Sequence, residues 1–346
     1  MAYRKLSIAY AKKKKMIKIR CDMNKISMIH SRYVEEYVAP RFFQAFSQTS
    51  DYLRKYLQSL LGNEQVEILK QLKKLCTDKE LKSLIYKEKR IREAVYLNNK
   101  DLEGRLLENE EIKKFWDTVL DYKDFGRGVR KGKYSITWNR HLFVEMTNVK
   151  VCPYCNRNYI TSYMENGKAE EITTTASIDH YYSKSKYPFL QINIYNMIPS
   201  CTICNSYVKG SKEYEHLNPY VDDGSIHFET DFSSIENLYS QKDGQKRIRV
   251  ISGRDQKSKK SIEVFKLSKI YETHDDIADE VKQKAMDYEN FKEDYYKKLL
   301  GDIDIGINNI HKNWFDFLDK EEGEEPLIKL KKDIYKQIRG VQNDGL

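Results

Sequence analysis

Two C-x-x-C pairs, Cys152-Pro-Tyr-Cys155 and Cys201-Thr-Ile-Cys204, constrain this chain more than any other feature. Each pair makes a tight knuckle that presents two sulfurs to one metal. Two knuckles complete a tetrahedral thiolate set, for which zinc is the fitting ion. Simple zinc ribbons separate such pairs by about 15–20 residues. Here residues 156–200 lie between them, so the metal closes a loop large enough to carry folded structure of its own. Cys21 and Cys76 stand alone and read as small buried hydrophobes. Six cysteines in 346 residues are too few for a secreted disulfide framework, and their pairing suits metal ligation in a reducing compartment.

The intervening sequence is patterned. Asn158-Tyr-Ile-Thr-Ser-Tyr-Met164 alternates like a strand, Asn166-Gly167 is a hairpin turn signal, and Glu171 to Ile178 reads as the returning strand. That strand delivers Asp179-His180 at its end. A loop, Tyr181 to Tyr187, then passes Pro188 and reaches Asn196. Cys201 to Lys212 follows as the second knuckle and a helix opening at Asn205.

Asp179-His180, then Asn196-Met-Ile-Pro-Ser-Cys201, then Cys204-Asn205, resembles the HNH (His-Me finger, ββα-metal) nuclease motif. Cys-Pro-Tyr-Cys, Asp-His-Tyr-Tyr-Ser-Lys-Ser-Lys-Tyr-Pro and Cys-Asn-Ser, with Lys209-Gly-Ser-Lys212 and Asn218-Pro-Tyr220 beyond, are most similar to the HNH proteins of bacterial antiphage defence. Those include the Septu-type nucleases that act beside an ATPase. The resemblance spans roughly residues 150–221, and the helical flanks contribute nothing to it.

Phosphodiester hydrolysis needs an activated water, charge stabilisation at the leaving oxygen, and cations around the phosphate. The resemblance implies His180 as general base, with Asp179 and Asn205 presenting oxygens to one catalytic Mg²⁺ or Mn²⁺. Asn196 would orient His180 by fixing the loop beside it, and the four cysteines would hold a structural zinc. Lys184, Lys186, Lys209 and Lys212 are the expected nucleic-acid contacts. The implied substrate is DNA in preference to RNA, and the implied partner is an ATPase. Three departures from the pattern stand out: asparagine rather than histidine at position 205, Lys209 one place later than the usual Cys-Asn-x-x-Lys, and Ser183 where relatives carry proline. The alternatives are a zinc-stabilised nucleic-acid-binding subunit that does not cut, and an RNA-cleaving effector.

Outside this segment the chain reads as helical and charge-rich. It is 40 % apolar and 33 % charged, a balance without a disorder signature, and its net charge of +9 permits attraction to nucleic acid. Ser50 is an N-cap for a stripe of Leu53, Tyr56, Leu57, Leu60 and Leu61 that Gly62 stops. Val66, Ile68, Leu69, Leu72 and Leu75 form a second stripe, Leu81, Leu84 and Ile85 begin a third, and Ile112, Phe115, Trp116, Val119 and Leu120 mark another. Glu108 to Glu111 suit a solvated first helical turn better than a metal cluster. Gly126 to Lys133, alternating glycine and cation, reads as a surface loop without P-loop spacing. Ser225 to Glu229 and Lys246 to Ile251 alternate like paired strands around Lys242-Asp-Gly244. Thr273 is the expected cap of a long helix that continues past Phe291 to Tyr295 and Tyr296, and Leu327 to Ile338 forms a last short one. His216 reads as a packed histidine, and most tyrosines as packing residues.

The expected fold class is α+β, predominantly helical, a zinc-stabilised ββα-metal core flanked by helical regions. The expected division is a basic N-terminus and bundle over 1–140, the core over 141–221, a β-hairpin elaboration over 222–265 and a C-terminal helical region over 266–346. No apolar run approaches the roughly 18–20 residues of a membrane span. Met1 to Arg20 carries eight basic residues and no acid, without the features of a signal peptide, so the expected location is cytoplasmic. Met16 to Arg20 reads as a basic strand able to touch phosphate.

Overall fold

Ser50 accepts a hydrogen bond from the Leu53 amide at 3.3 Å and opens the helix Asp51–Leu61, which ends at Gly62 with φ +97°. Both terminators act through local chemistry: a hydroxyl satisfies an orphan amide, and glycine takes a left-handed conformation without a Cβ penalty. The computed structural model describes residues 18–97, 109–127, 138–164, 172–232, 248–291, 311 and 314–344. The Asn166-Gly167 and Lys242-Asp-Gly244 turns, the cationic residues 128–133, Tyr295 and Tyr296 lie outside the described residues.

The molecule is mostly helical with small antiparallel sheets. The N-terminal region consists of α1 (Met23–Tyr33), a π-helical turn (Val34–Val38), α2 (Ala39–Phe46), α3 (Asp51–Leu61), α4 (Gln65–Thr77), α5 (Leu81–Leu97), α6 (Asn109–Leu120), α7 (Tyr122–Arg127) and α8 (Arg140–Thr147). Gly126 and Arg127 therefore close a helix rather than open a loop. The stripes of α3 and α6 are buried throughout. In α4, Ile68, Leu72 and Leu75 are buried, but Val66 is 82 % exposed, because two residues before Ile68 places it on the opposite side of the helix. One hydrophobic core runs through the described residues from Ile19 to Ile338.

The central segment holds two hairpin-like pairs. Strand β1 (Ser162–Met164) pairs antiparallel with β2 (Ile172–Thr174), as the Asn166-Gly167 signal requires. The chain then leaves that pair. Strand β3 (Ser177–His180) pairs antiparallel with β4 (Met197–Ser200), with Asp179 opposite Ile198 and His180 opposite Met197. The expectation of one return strand from Glu171 to Ile178 paired to residues 158–164 is thus corrected. Asp179 and His180 belong to a separate strand whose partner lies beyond the loop. A π-helix, Ile203–Lys209, follows β4, so the helix opens before Asn205 rather than at it.

Strands β5 (Ile226–Glu229) and β6 (Arg249–Ser252) pair antiparallel, matching the expected hairpin. The elaboration also carries a helix, α9 (Gln256–Val264), N-capped by Asp255 through the Ser258 amide, followed by α10 (Leu267–Tyr271). In α11 (Asp275–Phe291) Thr273 is not the cap, because its hydroxyl donates back to the Ile270 carbonyl at 2.9 Å. The last helix, α12 (Ile328–Asp344), is longer than expected and packs on β5, where the buried Asp333 accepts from the Phe228 amide.

The described part of the basic N-terminal run, Lys18 to Arg20, forms no strand. Ile19 donates to the Pro219 carbonyl at 3.0 Å, while Lys18 pairs with Asp223 and Arg20 with Glu321. Among the described residues no helix is long and apolar enough to cross a membrane.

Candidate active site and metal centre

The two knuckles converge. The sulfurs of Cys152, Cys155, Cys201 and Cys204 are buried and lie within 4.8 Å of one another. Tetrahedral zinc with Zn–S bonds of about 2.3 Å sets its sulfurs roughly 3.8 Å apart, so the cluster fits the ion. Asn158 points its side-chain amide at the Cys201 sulfur at 3.3 Å and the Cys155 sulfur at 3.8 Å, which offsets thiolate charge. Distant segments hold the first knuckle. Tyr271 donates its hydroxyl to the Cys155 carbonyl at 2.7 Å, and the Leu327 amide donates to the carbonyl of Asn156 at 2.8 Å.

The first knuckle also reaches the Asp-His pair. Tyr154, between its cysteines, donates its hydroxyl to Asp179 Oδ2 at 2.7 Å. Lys209 Nζ, at the end of the π-helix, donates to Asp179 Oδ1 at 2.8 Å and to the His180 carbonyl at 3.0 Å. Asp179 and Lys209 are 2 % and 3 % exposed. Burial raises the Asp179 pKa, against the opposing pull of Lys209 and Tyr154.

His180 sits at the end of β3, part-buried, with its Nε2 at 2.8 Å from the Gln191 carbonyl. A carbonyl can only accept, so Nε2 carries the proton and Nδ1 keeps the lone pair. Burial, aided by the Lys184 and Lys209 charges, pushes the His180 pKa down to about 3, which keeps the ring neutral at physiological pH. The edge of Tyr122 packs against the ring with centroids 4.6 Å apart. Gln191 is itself anchored, because its side-chain amide donates to the Trp116 carbonyl at 3.0 Å and to Asp117 Oδ1 at 3.3 Å. Helix α6 therefore sets the acceptor that fixes the histidine tautomer.

Asn196 is fully buried and makes no hydrogen bond to His180. Its Oδ1 accepts from the Tyr182 amide at 2.8 Å, and its Nδ2 donates to the carbonyls of Tyr182 and Leu190. It ties Tyr182 to Leu190 within the loop that follows His180. Asn205 is part-buried and donates Nδ2 to the Ile178 carbonyl at 3.4 Å, and its Oδ1 has no partner among the described residues.

The lysines divide. Lys184 is exposed and stands 4.5 Å over the Tyr122 ring, beside the histidine. Lys186 pairs with Glu213 at 2.9 Å, and Lys212 is exposed. Lys209, an expected nucleic-acid contact, is buried and paired with Asp179 rather than exposed. An α-helix turns about 100° per residue, so residues four apart overshoot one turn. The wider π-helix, bonding i to i+5, brings Lys209 back short of that turn and directs it at Asp179.

His216 is a packed histidine, enclosed by Tyr154, Tyr181 and Phe265. Tyr154 and Gln191 are the site residues that sequence reasoning missed. The tyrosine stood in plain view inside the knuckle, whereas nothing local marked Gln191. Compared with family profiles, curated proteins and solved structures, the chain matches none.

Proposed function

We propose that this chain is a metal-dependent HNH-type endonuclease that hydrolyses nucleic-acid phosphodiesters, DNA in preference to RNA. One observation carries the reading: a neutral histidine with its tautomer fixed, next to a buried carboxylate, on a strand-loop-strand-helix unit tied at both ends by four thiols. In this reading His180 Nδ1 takes a proton from water as the water oxygen bonds to phosphorus and the bond to the 3′ oxygen breaks, and the departing oxygen takes a proton from solvent. The products are 5′-phosphate and 3′-hydroxyl ends. Asp179 and Asn205 are the residues that would hold Mg²⁺ or Mn²⁺, which when bound supplies charge stabilisation at the leaving oxygen. Lys184, Lys186 and Lys212 would meet the flanking phosphates, and the four cysteines would carry structural zinc. Work in antiphage defence beside an ATPase follows from the resemblance alone, and co-purification with an ATPase tests it.

A second reading, a zinc-stabilised nucleic-acid-binding subunit that does not cut, draws on the Asp179 environment. Each of its oxygens already holds a donor, and one donor is a cation. Incubating the purified chain with duplex DNA, single-stranded DNA and RNA in Mn²⁺ separates the two. The first reading requires products that EDTA abolishes, the second a shifted band with no products.

A further inference from the structure

We propose that the Lys209 ammonium is a built-in occupant of the divalent-cation position at Asp179, and that metal loading exchanges it out toward the phosphate. This rests on the reading of Asp179 as a metal ligand given above.

The geometry carries the argument. Lys209 Nζ lies 2.8 Å from a carboxylate oxygen and 3.0 Å from the His180 carbonyl oxygen, a pair of hard oxygen donors of the type Mg²⁺ and Mn²⁺ select. A divalent ion would bind Oδ1 at about 2.0–2.1 Å, leaving the ammonium at the same oxygen within strong repulsive range. Both cannot stay. Leaving Asp179 charged without a cation is costly, since it is 2 % exposed. One-for-one exchange satisfies both conditions. Lys209 is the last residue of the π-helix, and the Gly210 amide bonds back to the Asn205 carbonyl at 2.8 Å, so the exchange is a swing of the lysine side chain over a fixed backbone. Displaced, it supplies a cation next to the reacting phosphate, the role its position in the sequence suggested.

The chain contains a control. Lys329 and Asp333 form another buried pair at 2.7 Å, on one face of α12, and Asp333 caps the Phe228 amide as well. That pair is structural and should ignore metal.

The test is amine acetylation of the zinc-loaded full chain with and without Mn²⁺, read by peptide mass spectrometry. Lys209 should be protected without Mn²⁺ and labelled at least fivefold faster with it, while Lys329 stays protected in both. Alongside, Mn²⁺ binding is followed by electron paramagnetic resonance of the free ion in wild type, Lys209→Gln, Lys209→Met and Asp179→Asn. The neutral Lys209 variants should bind at least tenfold more tightly than wild type, and Asp179→Asn should lose the site. Asp179-dependent Mn²⁺ binding with unchanged Lys209 labelling, or with equal or weaker affinity in the Lys209 variants, overturns the exchange and leaves the metal site standing. Absence of Asp179-dependent binding in every protein overturns the metal-site reading and the exchange together. The labelling uses wild type alone, so it decides the matter even where a Lys209 variant fails to fold.

Discussion

The Tyr154 hydroxyl donates to Asp179 Oδ2 at 2.7 Å, so the residue between the first two cysteines touches the carboxylate that precedes His180. The four-thiol cluster and the Asp-His pair are joined through this phenol and, from the helix of the second knuckle, through Lys209. Tyr154→Phe keeps the ring stacked on Phe265 at 4.2 Å and removes only the hydroxyl. The variant should retain its zinc and lose about 1–3 kcal/mol of unfolding free energy in urea, the cost of stranding a buried acceptor. Unchanged stability would separate the knuckle from the pair.

Zinc should be required for the strands that carry the pair. Stripping the metal with a mercurial and a chelator, or replacing Cys204 by serine, should abolish amide-exchange protection at β3 and β4, which the knuckles clamp from either side. Elemental analysis should give one zinc per chain before treatment. Protection that survives zinc loss would make the four thiols dispensable.

What was legible in the sequence was local or spaced. Ser50 and Gly62 declare their helix because capping depends on neighbouring atoms alone, and the cysteines declare a cluster able to hold a metal because ligand spacing is chemistry. The order of Asp179, His180, Asn196 and Asn205 carried the resemblance to the HNH motif. Strand β4 was hidden because Met197-Ile-Pro-Ser200 is buried at every position, so it shows no alternation, and it contains a proline that only an edge strand accepts. Lys209 was expected at nucleic acid and not at Asp179, because its partner lies 30 residues away and meets it only through tertiary packing. Gln191 acts through its main-chain carbonyl, which no side-chain pattern reveals.

Acid should destabilise the fold through two packed histidines. Burial lowers the His30 and His216 pKa values to about 3, below the usual value of about 6.5 that holds in the unfolded chain. The unfolded state therefore binds more protons between those values, and stability present at neutral pH is lost as pH falls below about 6.5. Each histidine should cost about 2 kcal/mol between pH 7 and 5. His30 accepts from Trp138 Nε1 at 2.9 Å, so His30→Gln, which can still accept, should reduce the pH slope measured by urea unfolding. An identical slope in wild type and variant would place the acid sensitivity elsewhere.

Helix α6 should control the chemistry through Gln191. Gln191→Leu removes the anchor to Trp116 and Asp117 while keeping the carbonyl that holds His180. We expect cleavage to slow roughly tenfold in kcat with KM nearly unchanged, the mark of a misplaced base rather than lost binding. A change confined to KM would assign Gln191 to substrate contact.

The central claim is that His180 is the base of a metal-dependent hydrolysis, and single-turnover cleavage of labelled duplex DNA in Mn²⁺ tests it most directly. Wild type should give 5′-phosphate products that EDTA suppresses, and folded, zinc-loaded His180→Ala should cut at least a hundredfold more slowly. Equal rates in the two proteins, or wild-type cleavage that EDTA leaves untouched, would contradict the account.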